Sequence, residues 1–479
     1  MKLARGAFYL LLAEAVFVAA GYLIHVGAGR ILDPRYYGTL GILLSLLSHY
    51  RIFLATGVNR AVSLYVSRDP SLTSPIRRQA LKIQLLLGIG LGALIFLFAP
   101  VLAGWWQDGE MTAYIRLTAF FIPIFGVYSV YRGELNGKKL FDREAIVFIF
   151  YSILKVIFVF ILIIPFRIFG AVTAYLAAIV AATFLARWKC PRPEPNRTGF
   201  FPAGAIIGFA FPVVLYSFTI SLIQSLDLYF VRALVTVEKG MTAAQASGYY
   251  TCAQQFARIP YMALYALSLA LFPYVAAGAD GNPAGGNIRN ALRLGLLLAW
   301  PLTLLISAFA DNMVVLVYRP EYGPAAGALQ ILVLGLTFLA FGLVLTTVLT
   351  AAGRPWTALA LVTFTLLVSA ALNYVLVPKF DIRGAAAATT IAAFLGTIAA
   401  GIMVTRHFGR ILKPGSAMKI FFAGIAVWLA AVALKPMGWL FLPLSVLLGG
   451  LYLLILAGMK EFGNNEIGQL KSIFRRTDR

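Results

Sequence analysis

Seven ionisable side chains stand inside long apolar stretches of this chain: Glu14, Arg51, Arg60, Lys155, Asp227, Arg232 and Arg258. In hydrocarbon each costs about 2.5–3.5 kcal/mol on insertion scales, so each is kept for an ion pair or for a ligand. Arg51 lies near mid-depth, roughly 18 Å into its run at a rise of 1.5 Å per residue, too deep to snorkel. Lys155 sits at a similar depth in its own run. Fixed positive charge there either completes a buried ion pair or grips an anion that has shed its water. Arg60 follows Arg51 on the same helix but faces the opposite side. It is expected to pair with Glu14, which shares its depth; the alternative for Glu14 is a cavity role in proton coupling. Asp227 continues a stripe of Ser217, Ser221 and Gln224 on one helix face, which is expected to look inward. Arg258 has a depth comparable to Asp227 and either neutralises it or holds an anion. Arg232 is near enough to the outer end of its helix to snorkel.

Soluble catalytic chemistry has no foothold here. His25, His49 and His407 are too scattered for a metal cluster, and there is no Gly-rich phosphate loop, nucleophile elbow or pair of catalytic carboxylates in a soluble setting. The Tyr36, Tyr37 and Trp105, Trp106 pairs fall at span ends, where amphipathic rings belong at the lipid interface. Cys190 is expected in a cytoplasmic loop and Cys252 near the opposite face, a separation no disulfide bridges.

The elements that must carry these residues are membrane helices. Hydrophobic residues make up 61% of the 479 and charged residues only 12%, against about 25% charged in a soluble domain. Apolar runs of about 20 residues recur, the length needed to cross roughly 30 Å of hydrocarbon. The runs predict an all-α polytopic membrane protein of about fourteen transmembrane helices, near 8–29, 39–66, 80–104, 113–133, 144–165, 168–187, 204–234, 248–277, 290–310, 325–351, 356–377, 384–405, 418–434 and 440–458. The net charge of +22 does not point to nucleic acid, because the basic residues gather in alternate loops. Arg68, Arg77 and Arg78 form one such group, and Lys138, Lys139 and Arg143 the next. Arg187, Lys189, Arg192 and Arg197 follow, then Arg406, Arg410 and Lys413, and finally Lys471, Arg475, Arg476 and Arg479. This bias predicts a cell-membrane protein with both termini cytoplasmic. The opening MKLARG has no cleavage signal before the first apolar run, which reads as a retained span.

The Pro-rich, charged stretch RWKCPRPEPNRTGFFP, from Arg187 to Pro202, divides the chain. The expected units are an N-terminal six-helix bundle over 1–190, a cytoplasmic linker over 191–203, a C-terminal six-helix bundle over 204–406, two extra helices over 407–459 and a basic tail over 460–479. A repeat supports the division: Phe120 to Phe141 aligns with Leu334 to Trp356, setting Phe125 and Gly126 on Phe341 and Gly342. The next helix pair keeps nearly the same register, with Pro165 to Gly170 matching Pro378 to Gly384. Repeated halves in transporters place the substrate site at their interface.

RILDPRYYGTLGILLSLLSHYRIF after the first helix, SLDLYFVRALV, the GYY start of helix eight, ALSLALFPYVA and VYRPEYGPAAGALQILVLG resemble the polysaccharide and oligosaccharide flippases of the multidrug, oligosaccharidyl-lipid and polysaccharide exporter superfamily. The resemblance spans roughly residues 5 to 405. It implies two six-helix bundles forming a V around a central cavity, and a polyprenyl-diphosphate-linked glycan as substrate. It also implies a groove for the lipid tail at the last two helices. In lipid II flippases that branch relies on arginines in helix one, where this chain has Glu14 and His25. Some of those proteins couple to sodium through an aspartate on helix seven, an asparagine and an aspartate one turn apart on helix eleven, and groups on helix twelve. Asp227, Asn373 and Thr389 or Thr390 match part of that set, with the oxygen ligands a hard cation wants, but Val377 stands where the second carboxylate would be.

The expected function is therefore a flippase that carries a lipid-linked oligosaccharide from the cytoplasmic to the outer leaflet by alternating access, for cell-surface polysaccharide biosynthesis. Arg51, Lys155 and Arg258 would hold the diphosphate, with Glu14 in the same cavity. No cofactor is expected beyond a coupling Na+ or H+. The expected partners are the lipid-linked oligosaccharide, membrane lipids and a glycan polymerase or glycosyltransferases. A cation-coupled drug exporter of the same superfamily would prefer an acidic cavity, and a non-transporting scaffold for glycan synthesis would tolerate loss of all three basic residues.

Overall fold

The structure, a computed structural model, describes residues 2–191, 201–236, 240–277, 284–409, 411–434 and 438–461. Arg192, Arg197, Arg410 and the basic tail from 462 onward lie outside the described residues, as does most of the Pro-rich linker. Fifteen α-helices follow one another: α1 Lys2–Ile31, α2 Pro34–Thr56, α3 Val58–Arg68, α4 Thr73–Trp105, α5 Met111–Ala119, α6 Phe121–Gly137, α7 Phe141–Lys189 and α8 Ala203–Leu234. Then come α9 Ala243–Ala277, α10 Ala284–Ala308, α11 Ala310–Val317, α12 Ala325–Ala351, α13 Pro355–Phe408, α14 Pro414–Leu434 and α15 Phe441–Gly458. Among the described residues, eleven helical segments are long and apolar enough to span a membrane.

Two of those segments, α7 and α13, are hairpins. In α7 the Arg143 guanidinium reaches the Lys189 carbonyl at 3.1 Å, which a straight helix of 49 residues would hold some 70 Å away. The chain reverses at Arg167, with φ 48° and ψ −126°, and at Asp381 in α13, with φ 52° and ψ −133°. A non-glycine residue in the left-handed region is strained, and the same device recurs at equivalent points of the two repeats. Gly170 makes the first reversal possible, because its α-carbon lies against the Leu162 carbonyl and a methyl there would overlap it.

Two breaks interrupt helices read as continuous in the sequence. The second span divides at Gly57 into α2 and α3, and the fourth at Phe120 into α5 and α6. At the first break the Leu54 carbonyl accepts from Gln84 Nε2 at 2.9 Å and from the Ser129 hydroxyl at 3.4 Å. Side chains from α4 and α6 thus replace the lost ladder bonds, as a helix break inside a membrane requires.

The chain forms two compact units, one of residues 1–252 with 377–382 and the other of 253–376 with 383–479. The repeat and the packing divide the chain at different places. Most of α8 and the first turns of α9 pack with the N-terminal helices, because small residues let α2 and α9 approach backbone to backbone. Gly38 faces the Ala244 carbonyl, and Gly248 faces that of Pro34. The lower core of this unit joins Val62 and Val66 of α3, Ile76 and Ala80 of α4, Val130 of α6 and Ile206 of α8.

In the second unit, α14 and α15 dock on α10 through Trp300, Leu304, Val427, Leu448, Tyr452 and Leu456. Glu461 locks this pair. Its carboxylate takes Arg293 Nε at 2.9 Å and the Ser416 hydroxyl, while Lys419 donates to the Met459 carbonyl at 2.8 Å. Glu461→Ala is expected to speed deuterium exchange at the start of α14 and the end of α15 by roughly tenfold, in line with loss of charge-assisted hydrogen bonds. Unchanged exchange there would show that the apolar core alone holds the pair.

Candidate functional site

The first unit buries an aromatic stack faced by cations. The rings of Phe17 on α1 and Phe148 on α7 stack at 4.9 Å, 20° from parallel. The Arg132 guanidinium lies 4.0 Å from the Phe148 centroid. Arg51 from α2 and Lys155 from α7 both sit over Phe17, at 5.0 and 4.3 Å. Tyr151 and Tyr175 add two further faces around the Lys155 ammonium, at 5.6 and 5.5 Å. Lys155 is 3% exposed. Among the described residues no carboxylate comes within 4.0 Å of it, and the charged side chain within electrostatic reach is a second cation, Arg51. The hairpin of α7 explains this convergence, since it brings Lys155 and Tyr175 from opposite limbs to one point.

Glu14 does not pair with Arg60. Arg60 lies exposed on α3 beyond the Gly57 break, and Glu14 instead shares the surroundings of Tyr128 and Arg132. Matching depths along a continuous helix fails here because the break resets the register. Glu14, Phe17, Gly21 and His25 recur at helical spacing, so α1 turns one mixed face away from its exposed Leu12 and Leu23.

Toward the end of the unit that carries the basic loops, the charges are paired. Arg132 Nη2 meets Glu144 at 3.0 Å, and the other Glu144 oxygen accepts from Asn136 Nδ2 at 2.7 Å. Asn136 Oδ1 in turn accepts from Ser63 at 2.7 Å. Glu134, wholly buried, binds Arg77 at 3.2 Å, with Lys138 at 3.9 Å. The sequence reading passed over Glu134, Glu144 and Arg132 because they stand at span ends; their signal is the i, i+4 spacing of Glu134 and Lys138. Cys190 is not loop-exposed but buried, its thiol facing the Tyr131 carbonyl. Burial, with the Glu134 charge adding, pushes that thiol up to about 12. Its maleimide reaction in the folded protein at pH 8 is expected to run about three orders of magnitude slower than that of free cysteine, and to climb with pH beyond 10. A rate like that of free cysteine would contradict the burial.

At the opposite end of the unit, α8 is tied to its neighbours by polar contacts. Ser45 and Tyr229 hydroxyls lie 2.8 Å apart, and His49 Nδ1 meets the Ser221 hydroxyl at 2.6 Å. Arg232 does not snorkel: it is buried and ion-paired with Asp108 of the loop before α5. Trp106 and Tyr37 are likewise core residues rather than interfacial ones. Trp106 packs 5.6 Å from the Tyr229 ring, and the Tyr37 hydroxyl meets His25 Nδ1 at 3.2 Å. Their neighbours Trp105 and Tyr36 keep the outer positions, with Tyr36 accepting from Arg167 at 2.7 Å.

Asp227 is buried in the first unit, one oxygen accepting from the Tyr250 hydroxyl at 2.6 Å and the other from the Leu228 amide at 2.8 Å. Arg258, half-buried on α9, and Asn373 and Thr390 on α13 belong to the second unit. Asn373 donates to the Ser369 carbonyl at 2.8 Å, and its buried Oδ1 accepts nothing among the described residues. The Thr390 hydroxyl sits between the carbonyls of Ile331 and Ala386, at 3.0 and 2.7 Å, and so joins α13 to α12. Val377 is wholly buried and supplies no oxygen from its side chain.

Residues 28–327 match the model of the family described as polysaccharide biosynthesis protein. The chain belongs to this family. An uncharacterised membrane protein of Methanocaldococcus jannaschii is 22% identical over 432 residues, 82% of each chain. Among solved structures, the lipid II flippase MurJ in an inward closed conformation superposes with a TM-score of 0.74 at 14% identity, over 94% of this chain and 98% of that one. An inward-facing multidrug resistance MATE transporter of the MOP superfamily gives 0.68 at 17% identity, over 81% and 95%. This member of the polysaccharide biosynthesis family therefore has the all-α, multi-pass fold of MOP-superfamily transporters.

Proposed function

We propose that this protein is a flippase for polyprenyl-diphosphate-linked oligosaccharides, moving them from the cytoplasmic to the outer leaflet by alternating access. The observation that carries the reading is the buried ammonium of Lys155 held with the half-buried Arg51 over Phe17, with no carboxylate within ion-pair distance of the lysine. Two like charges in a low-dielectric interior repel strongly, and a diphosphate diester, with two negative charges, is the ligand that relieves them. An exporter of cationic drugs would gain nothing from such a site. Family membership and the likeness of fold to a lipid II flippase support the same reading. Rocking of the repeats exposes the Arg51 and Lys155 site to each leaflet in turn. The alternation of basic loops sets both termini in the cytoplasm. Within the second unit Asn373 and Thr390 are the coupling groups for Na+ or H+, with the Asn373 Oδ1 as the open ligand, and Asp227 is a separate coupling group within the first.

The test is leaflet transfer in proteoliposomes of a fluorescent prenyl diphosphate bearing a short oligosaccharide, beside a fluorescent phosphatidylcholine. Transfer of the diphosphate alone is the expected result. Transfer of neither, or of a cationic dye in their place, would overturn the reading.

A further inference from the structure

Ring faces, rather than carboxylates, surround the innermost ammonium of this unit, that of Lys155. Phe17 is the point where they meet: Arg51 and Lys155 lie 5.0 and 4.3 Å from its centroid, and the ring is backed by Phe148, itself capped by Arg132 at 4.0 Å. The contrast within the unit is sharp. Arg77 and Arg132 have carboxylates at 3.2 and 3.0 Å, whereas the ammonium of Lys155 has aromatic faces on three sides. A carboxylate would fix a lysine and cancel its charge together. The quadrupole of a ring fixes the cation while leaving its charge almost whole for a ligand. From this we infer that Phe17 is a positioning residue for the anionic head group: its π face holds Arg51 and Lys155 in place to meet a phosphate or diphosphate, and so preorganises the site without touching the substrate.

The inference rests on the reading of Arg51 and Lys155 as head-group ligands, and the two fail in different ways. The measurement is binding of geranylgeranyl diphosphate to the purified full-length chain in nanodiscs. Phenylalanine at position 17 is replaced by its mono-, di- and trifluoro analogues, which keep the shape of the ring while draining its face of negative potential. Phe17→Leu and Phe17→Tyr accompany the series, with Lys155→Met as reference. Affinity is expected to fall stepwise with each fluorine to a total loss of about tenfold, the scale of a desolvated cation–π contact. Phe17→Tyr should bind nearly as the native chain does, and Phe17→Leu at least as poorly as the trifluoro analogue. Lys155→Met combined with trifluoro-Phe17 should lose less than the product of the two separate losses. Affinity indifferent to fluorination, with Lys155→Met still weakened, would overturn the positioning role and leave the head-group site standing. Native affinity in Lys155→Met would remove the site itself, and the inference with it.

Discussion

Glu134→Ala is expected to lower the thermal midpoint of the protein in mild detergent by several degrees, more than any substitution on the lipid-facing surface. Glu134 is wholly buried and its two oxygens lie 3.3 and 3.2 Å from Arg77 Nη1. Arg77 is itself buried, in the helix turn that carries Ile76 and Ala80 of the apolar core, and it makes a further, long contact to the Pro191 carbonyl at 3.5 Å. Deleting the carboxylate strands a guanidinium in apolar surroundings, a defect that costs about 3–5 kcal/mol when one partner of a buried pair is removed. Removing both charges should cost far less, because no unpaired group remains. The double variant Glu134→Leu, Arg77→Met is therefore expected to melt closer to the native chain than either single variant does. Size-exclusion thermostability measures all four proteins, and a double variant as unstable as the sum of the two single variants would show that the two charges are not coupled.

A leucine at Gly248 is expected to leave the protein folded and to abolish most of its transport. The first turn of α9 touches α2 backbone to backbone at Gly38 and Gly248, and Gly41 abuts the Thr251 side chain. This contact closes the end of the unit that the charge bias assigns to the outer face. Below it run the Ser45–Tyr229 and His49–Ser221 contacts. A side chain at position 248 would occupy the space of the Pro34 carbonyl, so α2 and α9 must separate. Overpacking of this kind costs about 1–3 kcal/mol or more, enough to depopulate the closed arrangement roughly 5- to 150-fold. Thr39, buried beside Gly38, reports the separation. In a background without Cys190 and Cys252, Thr39→Cys should resist an impermeant maleimide in the native sequence and react in the Gly248→Leu variant. Native transfer rates with Thr39→Cys still protected would exclude any role for this seam in the transport cycle.

Much of the fold was legible because hydrocarbon is a simple solvent: a helix that crosses it must be long and apolar, and its loops must carry the charge. The turns at Pro165 to Gly170 and Pro378 to Gly384 could be read for the same reason, since polar and helix-breaking residues interrupt apolar runs there. The breaks at Gly57 and Phe120 were not legible, because hydropathy is blind to a helix whose carbonyl, as at Leu54, is caught by Gln84 and Ser129 from other helices. From the first of these breaks came the mistaken pairing of Glu14 with Arg60. Depth along the helix placed Arg51 and Lys155 well, and missed Phe17, which in sequence is one apolar residue among many. Arg232 and Trp106 were misplaced because distance from a span end says nothing of a loop that folds back over it, as the Asp108 loop does. Glu461 went unread because it lies just past the last apolar run, where a solvated tail is the natural expectation.

Whether the buried positive charge of Lys155 serves a ligand rather than the fold is tested most directly by Lys155→Met. Methionine keeps the length of the lysine stem and fits among Phe17, Tyr151 and Tyr175. The predicted result is an unchanged or higher thermal midpoint, because a desolvated charge is gone, together with a loss of prenyl-diphosphate oligosaccharide transfer in proteoliposomes of at least about tenfold. A variant that transports at the native rate would contradict the cationic head-group site, and one that unfolds would assign Lys155 to the structure instead.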